Sequence, residues 1–164
     1  MDLDRLRSRL YDARIRAVLA SPWHRRHSSD TLVLEVVGRR SGRRFRLPVS
    51  YAEDHGELLV FVDEAPTKQW WRNLRGGAPV RVLLRGSWLP AQADVAWDAD
   101  PERLARALAR FVAAWPGFVD LGLPPAERHS PEELLPVAHG VAVVTIRPEP
   151  ATKRPGSPPI GEAG

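Results

Sequence analysis

Six short runs of apolar or alternating residues constrain the fold of this chain more than any other feature of its sequence. They cover residues 32–37, 49–52, 57–62, 79–84, 91–97 and 141–146. Short runs bounded by glycine, proline and aspartate are typical of β-strands. Helical patterns are found at 67–75 and 100–114. Because the connections are short and the helices few, an antiparallel sheet is favoured over parallel βαβ units.

Six short strands in one small domain leave exposed edges unless the sheet curls. A chain of 164 residues has room for one such domain with a sizeable core. We therefore predict a mainly β fold with flanking helices (α+β), in the form of a small barrel over residues 30–147.

The two ends of the chain differ from this domain in composition. Residues 1–29 are expected to form an amphipathic helix followed by a loop, with Leu3, Leu6 and Leu10 on one helix face. Such a basic helix either covers its own domain or lies on an anionic membrane surface. Residues 148–164 are rich in proline and glycine, which predicts a disordered tail.

Composition excludes several classes of function. There is no cysteine, so thiol chemistry and disulfides are excluded. No apolar stretch is long enough for a membrane span, and the N-terminus is too charged for a secretory signal, so a cytoplasmic location is expected. His24 and His27 have the spacing of a helical zinc pair but lie in an arginine-rich loop with no carboxylate nearby, so we expect solvated histidines and no metal.

An arginine-rich segment follows the first strand-like run. Gly38 and Gly42 flank its start, and five arginines fall within residues 39–46. Glycines permit tight turns, and guanidinium groups bind phosphates and carboxylates through paired hydrogen bonds. The segment is therefore either an anion-binding turn or a hairpin whose arginines point into water.

The helical pattern at 67–75 contains two adjacent tryptophans. Trp70 and Asn73 are three residues apart and share a face, whereas Trp71 points elsewhere, into the core. An indole beside an amide can line the site of a planar heteroaromatic ligand. The alternative is that both tryptophans belong to the core.

These motifs, in this order, resemble the deazaflavin-dependent nitroreductase family. Gly38-Arg39-Arg40-Ser41-Gly42 followed by Pro48, then Trp70-Trp71-Arg72-Asn73-Leu74, then Val80-Arg81-Val82 is similar to the family's succession of G-x-x-S-G with a downstream proline, W-x-x-N-L and a valine-containing strand. The resemblance covers residues 30–147. It implies a split β-barrel of the flavin-reductase (FMN-binding-like) type that uses coenzyme F420.

The resemblance also implies roles for individual residues. Arg39, Arg40, Ser41 and Gly42 are expected to hold the phosphate and oligoglutamate tail of F420. Pro48 is expected to shape the strand beneath the deazaflavin ring, and Trp70 and Asn73 to border the cofactor. The implied reaction is hydride transfer to a small electrophilic substrate such as a quinone, an enone or a nitro compound.

The chain departs from the family pattern at three places. One is the stretch 115–120, which has no tyrosine where some relatives carry one. Phe45 stands where the motif has an arginine, and residues 63–66 form a short loop with two acids where relatives offer serine, lysine and glycine. No catalytic residue or proton donor is identified by the sequence. A homodimer is expected, because small curled sheets often bury an exposed face.

Other functions on the same barrel stay open at this stage. One is a ligand-binding protein without turnover, for a lipid, a haem-like molecule or FMN. Another is a nucleic-acid-binding domain that holds phosphates with the arginines. No nucleic-acid motif is present and acids are spread along the chain, so we expect no nucleic-acid partner.

Overall fold

The computed structural model describes residues 31–116, 118, 121–123 and 128–150. The predicted N-terminal helix, the histidine pair and residues 151–164 of the predicted tail lie outside this range. The described part contains seven strands, two α-helices and two 3-10 segments. The strands are β1 (Thr31–Val37), β2 (Arg44–Ser50), β3 (Ala52–Asp54), β4 (Glu57–Val62), β5 (Ala78–Leu84), β6 (Ser87–Ala96) and β7 (Ala142–Pro148).

The helical elements are short apart from one. Helix α1 spans Pro101–Ala114 and α2 spans Pro131–Leu134. The first 3-10 segment is Ala65–Thr67 and the second 3-10 segment is Trp70–Leu74. Asp100 caps α1, because its carboxylate accepts a hydrogen bond from the Arg103 N–H at 3.0 Å, and proline follows at the first helical position.

The strands form one antiparallel sheet in the order β2-β1-β5-β6-β7-β4-β3. The two outer strands of this order, β2 and β3, are joined in sequence by the single residue Tyr51. One residue cannot cross a flat seven-stranded sheet, so the two edges must lie close together. Strand β2 also contacts β4, the neighbour of β3. The sheet is therefore curled into a barrel that stays open between β2 and β3, which confirms the predicted mainly β, split-barrel class.

The continuous apolar run of β4 is explained by burial on both faces. Leu58, Val60 and Val62 point into the barrel core, whereas Leu59 and Phe61 pack in a second cluster with α1 and α2. One face of α1 covers this side of the sheet, with Leu104, Leu108 and Phe111 buried. Two-sided burial removes the polar alternation that one-sided strands show.

Strands β2 and β3 differ from the sequence-based expectation. The structure adds β3, which is only three residues long and carries no periodic signal. Strand β2 begins at Arg44 rather than at residue 49, because Phe45, Leu47 and Val49 alternate onto the barrel core. Pro48 is tolerated within it because β2 is an edge of the sheet.

The expectation of one helix over residues 67–75 was wrong. The segment consists of the two 3-10 segments, with Lys68 in an extended conformation between them. A single helix of this length has too few internal hydrogen bonds to hold itself together, and the chain instead follows the packing of Ala65, Trp71 and Leu74 in the core. The seventh strand extends to Pro148, one residue past the expected domain boundary.

A line of alternating charges joins α1 to the sheet. Arg110 donates to Asp54 at 2.7 Å and to Glu57 at 2.8 Å, and Arg147 donates to Glu57 at 2.8 Å and to Asp94 at 2.6 Å. Burial acts to raise the pKa of Glu57, but the hydrogen bonds from Arg110 and Arg147 outweigh it and hold the pKa below its ordinary value.

Because the folded state lowers the pKa of Glu57, this carboxylate stabilises the fold above its unfolded pKa, and the stabilisation is lost as the pH falls through the folded pKa. We expect Glu57→Gln to lower the free energy of unfolding at pH 7 by on the order of 1 kcal/mol. The difference from the parent chain should be smaller at pH 3 than at pH 7. Urea unfolding at both pH values measures this, and an equal difference at both would contradict it.

Candidate functional site

The arginine turn, residues 38–43, is held by its own backbone. The Gly38 N–H donates to the Arg43 carbonyl at 2.8 Å, and the Gly42 N–H donates to the Gly38 carbonyl at 2.9 Å. Gly42 has a φ of 68°, which favours glycine. A Cβ on Gly38 would lie 2.6 Å from Ser41 Oγ, which accepts a hydrogen bond from the Arg43 N–H. The two glycines therefore fix a compact turn from which the arginines extend.

Asn73 attaches this turn to the second 3-10 segment. Its Oδ1 accepts a hydrogen bond from the Arg39 N–H at 2.9 Å, and its Nδ2 donates to the Trp70 carbonyl at 3.0 Å. The Arg39 guanidinium also donates to the Arg72 carbonyl at 3.4 Å. The amide of Asn73 is thus engaged at both ends within the protein, and its first role is to hold two walls together.

A cleft of about 910 Å³ lies between the turn and the second 3-10 segment. Its charged lining residues are all arginines: Arg39, Arg40, Arg72 and Arg75. Phe45, Trp70 and Ser41 supply aromatic and hydroxyl surface. A cleft with four cations and an indole in its walls suits an elongated ligand that is anionic at one part and planar at another.

Ion pairing separates the cleft arginines from most others. Six arginines elsewhere on the described surface each pair with a carboxylate: Arg46, Arg81, Arg85, Arg103, Arg110 and Arg147. Within the same described residues, none of the four cleft arginines has a carboxylate partner. A cluster of guanidinium groups left without counter-charges has the electrostatics of an anion site.

The two adjacent tryptophans have different environments. Trp71 is 3% exposed and packs beside Trp97 in a tilted arrangement, with ring centroids 5.6 Å apart. Its indole N–H donates to the Ala65 carbonyl at 2.8 Å. Trp70 is half-buried and lines the cleft. The prediction that Trp71 enters the core is confirmed, and Trp70 is the indole available to a ligand.

The structure brings together five of the seven predicted site residues in the cleft lining: Arg39, Arg40, Ser41, Trp70 and Asn73. Gly42 acts through the shape of the turn and does not line the cleft. Pro48 shares a strand face with Arg46, opposite the face of Phe45, Leu47 and Val49 that packs on the core, and is likewise absent from the lining.

Sequence reasoning missed Arg72 and Arg75, which supply half of the cleft charge. The sequence signal that could have found them is a spacing of three residues. In a 3-10 helix, residues three apart eclipse one another. Trp70 and Asn73 form one such row within the second 3-10 segment. Gln69 and Arg75, which flank the segment, lie three residues before and after Arg72.

The structure explains the departures from the family motif at Phe45 and in the 63–66 loop. Phe45 lines the cleft and packs against the core from β2, so it gives the cleft an aromatic surface instead of a positive charge. Asp63 and Glu64 are exposed and are not part of the cleft lining, and the Asp63 carboxylate accepts the Glu64 N–H at 2.9 Å. The acids of the 63–66 loop therefore leave the cleft arginines unneutralised.

Titratable groups other than arginine are scarce at the site. Neither His129, which lies 3.4 Å from Glu133, nor the exposed His139 lines the cleft. The residues that the structure describes contain no cluster of three or more histidines and acids able to hold a metal ion. None of the helices in the described ranges is long and apolar enough to cross a membrane.

Replacing Asn73 tests whether it holds the two walls together. We expect Asn73→Leu to lower the free energy of unfolding by about 1–3 kcal/mol, because the Arg39 N–H and the Trp70 carbonyl both lose their partner. Asn73→Asp keeps the acceptor and should cost less. Gln92→Leu is the matched control, since that exposed amide donates one hydrogen bond at 3.5 Å. Equal urea midpoints for Asn73→Leu and Gln92→Leu would contradict the assignment.

Comparison with known proteins identifies relatives of this chain. The profile of the F420H(2)-dependent quinone reductase family matches residues 7–122. A protein of Mycobacterium tuberculosis whose name describes it as an F420H(2)-dependent quinone reductase is 30% identical over 93 residues, which cover 55% of this chain and 70% of the relative.

Solved structures overlap the chain more loosely. An F420-H2 dependent reductase superposes with a TM-score of 0.47 at 15% identity and covers 73% of this chain and 95% of its own. A Listeria innocua protein named for pyridoxamine 5'-phosphate oxidase gives a TM-score of 0.39 at 15% identity, over 84% of this chain and 93% of its own.

Proposed function

This chain belongs to the F420H(2)-dependent quinone reductase family, and from that premise we propose that it binds reduced F420 in the arginine-lined cleft and reduces a small quinone. The family makes the protein an oxidoreductase that uses F420 and acts on a small molecule, and it confirms the resemblance read from the sequence. The location of the cofactor and the identity of the substrate are the proposal.

The fit of the cleft to F420 rests on charge. The tail expected of this cofactor combines a phosphodiester with several carboxylates, and Arg39, Arg40, Arg72 and Arg75 offer guanidinium groups without acidic partners. Trp70 offers a flat wall for a planar ring. This unneutralised set of cleft arginines is the single observation that carries the proposal.

Each part of the site has a task under this proposal. Reduced F420 supplies a hydride when it is bound, and a proton from solvent completes the conversion of a quinone to a hydroquinone. Arg39 and Arg40 hold the anionic tail from the turn, and Arg72 and Arg75 hold it from the second 3-10 segment. Gly42 shapes the turn, and Asn73 keeps the two walls at a fixed separation so that the ring is oriented before reaction.

The activity is tested by oxidation of F420H2 under anaerobic conditions. We expect menadione to be reduced faster than a cyclic enone or a nitroaromatic compound at equal concentration, followed by the recovery of oxidised F420 absorbance. Reduction of the enone or the nitro compound alone would reassign the substrate class. Reduction of menadione by FMNH2 but not by F420H2 would overturn the proposal.

Several earlier expectations stay predictions. A homodimer requires a measurement of mass in solution. Contact of the N-terminal helix with a membrane concerns residues outside the described range.

A further inference from the structure

A second, smaller cavity adjoins the cleft and shares two of its arginines. It has a volume of about 200 Å³, and Arg72 and Arg75 line both spaces. Its other walls include Trp71, Trp97, Pro66 and Asp98. Cavities for drug-sized ligands measure roughly 300–1,000 Å³, so this one is sized for a single ring with a short substituent.

Arg72 and Arg75 each have a buried Nε without a hydrogen-bond partner among the described residues, and only Arg72 also donates to a carbonyl of the cavity wall. Arg75 is half-buried, and its Cζ lies 4.5 Å from the Trp97 ring centroid and 5.3 Å from that of Trp71. No carboxylate pairs with its guanidinium among the described residues. Stacking on indoles stabilises the cation but leaves its in-plane donors for an acceptor.

The charge balance of the cavity favours one anionic group. Asp98 also lines it, and both carboxylate oxygens lie near the Gly140 N–H, at 3.2 and 3.3 Å. Arg72 donates from Nη2 to the Pro66 carbonyl at 3.1 Å. Two guanidinium groups against one carboxylate leave a net charge of one positive, and within the described part of the chain the donors of Arg75 have no acceptor.

The remaining walls are flat and apolar. The indole N–H of Trp71 is taken by the Ala65 carbonyl, so Trp71 contributes apolar surface only. Trp97, Pro66 and Val141 likewise present no charge to the cavity. An inorganic anion would leave these walls without contacts, and a neutral arene would leave Arg75 without an acceptor.

We propose that this cavity is a binding site for a small planar aromatic carboxylate, with the carboxylate on Arg75 and the ring against the apolar walls. The site adjoins the proposed place of F420, shares Arg72 and Arg75 with it, and does not depend on the reductase assignment. Because Arg72 and Arg75 also line the cleft, an acid bound here shares the cations that face the cleft ligand.

The test is calorimetric titration of the full-length protein, without F420, by benzoate and by its neutral isostere benzamide. Benzoate is expected to bind about tenfold more tightly than benzamide, since only benzoate forms charge-assisted hydrogen bonds with Arg75. Arg75→Gln should remove this preference. Asp98→Asn should tighten benzoate by about threefold, because a like charge is removed while an acceptor for Gly140 is kept.

The control is Arg40→Gln, which changes the charge of the cleft but not the lining of the small cavity. Benzoate affinity unchanged within about twofold in this variant supports the assignment. Equal affinity for benzoate and benzamide, weaker binding in Asp98→Asn, or loss of binding in Arg40→Gln would each overturn it. The isostere and Asp98→Asn comparisons keep the test decisive if Arg75→Gln does not fold.

Discussion

Replacing Arg39 and Arg40 together by glutamine is expected to raise the dissociation constant for F420 at least about a hundredfold. Each arginine removed takes away charge-assisted hydrogen bonds worth about 1.5–3 kcal/mol, and each 1.4 kcal/mol corresponds to about a factor of ten. Glutamine keeps the backbone N–H of residue 39, so its hydrogen bond to Asn73 Oδ1 survives and the turn stays attached. Affinity should fall while the fold is retained.

The matched control for this variant is Arg43→Gln combined with Arg44→Gln. Both residues are exposed, carry no acidic partner among the described residues, and lie outside the cleft lining. The control therefore removes the same net charge from the same segment. Titration of both variants with F420, followed by tryptophan fluorescence, should show a large loss in the first and less than about a fivefold loss in the second. Equal losses would show that general attraction, and not contact in the cleft, determines affinity.

The second large effect is expected at Trp71. Trp71→Ala should lower the free energy of unfolding by about 3–5 kcal/mol, because it removes a buried indole from the barrel core. The substitution also leaves the Ala65 carbonyl without the N–H that reaches it at 2.8 Å and removes the ring beside Trp97. Because typical domains are stable by only about 5–15 kcal/mol, the loss is a large share of the total.

Trp70→Ala is the comparison for Trp71→Ala. Trp70 is half-buried on the cleft wall, so its removal should cost at most about 1–2 kcal/mol of stability while it weakens F420 binding severalfold. Urea unfolding and F420 titration of both variants separate the two roles. A larger stability loss in Trp70→Ala than in Trp71→Ala would contradict the assignment of Trp71 to the core and Trp70 to the ligand.

The fold class could be predicted because its signals are local. Bounded apolar runs such as those of β1 and β4 predict strands directly. The short connections between the runs indicate that neighbouring strands pair antiparallel. The short β3 could not be found in this way, since three residues show no period. Closure of the sheet follows from the single residue between β2 and β3, but this becomes informative only once the strand order is known.

The candidate site was only partly predictable because ion pairing is not local. Which arginines are neutralised depends on strand register: Arg147 meets Glu57, ninety residues away, and Arg110 meets Glu57 across fifty-three residues. In the sequence, Arg46 belongs to the same cationic segment as Arg40, yet Arg46 pairs with Glu35 at 2.8 Å on β1, whereas Arg40 lines the cleft. Arg72 and Arg75 are three residues apart, as Trp70 and Asn73 are, but the sequence does not show that their guanidinium groups lack an acidic partner.

The central claim, that the unneutralised arginines of the cleft hold F420, is tested most directly by titrating the full-length protein with F420 and with FMN at low and high salt. Saturable quenching of tryptophan fluorescence by F420 is predicted, with FMN at least about tenfold weaker because it lacks the oligoglutamate tail, and with F420 affinity falling as salt rises. No binding of F420 at any salt concentration, or equal affinity for FMN, would contradict the claim.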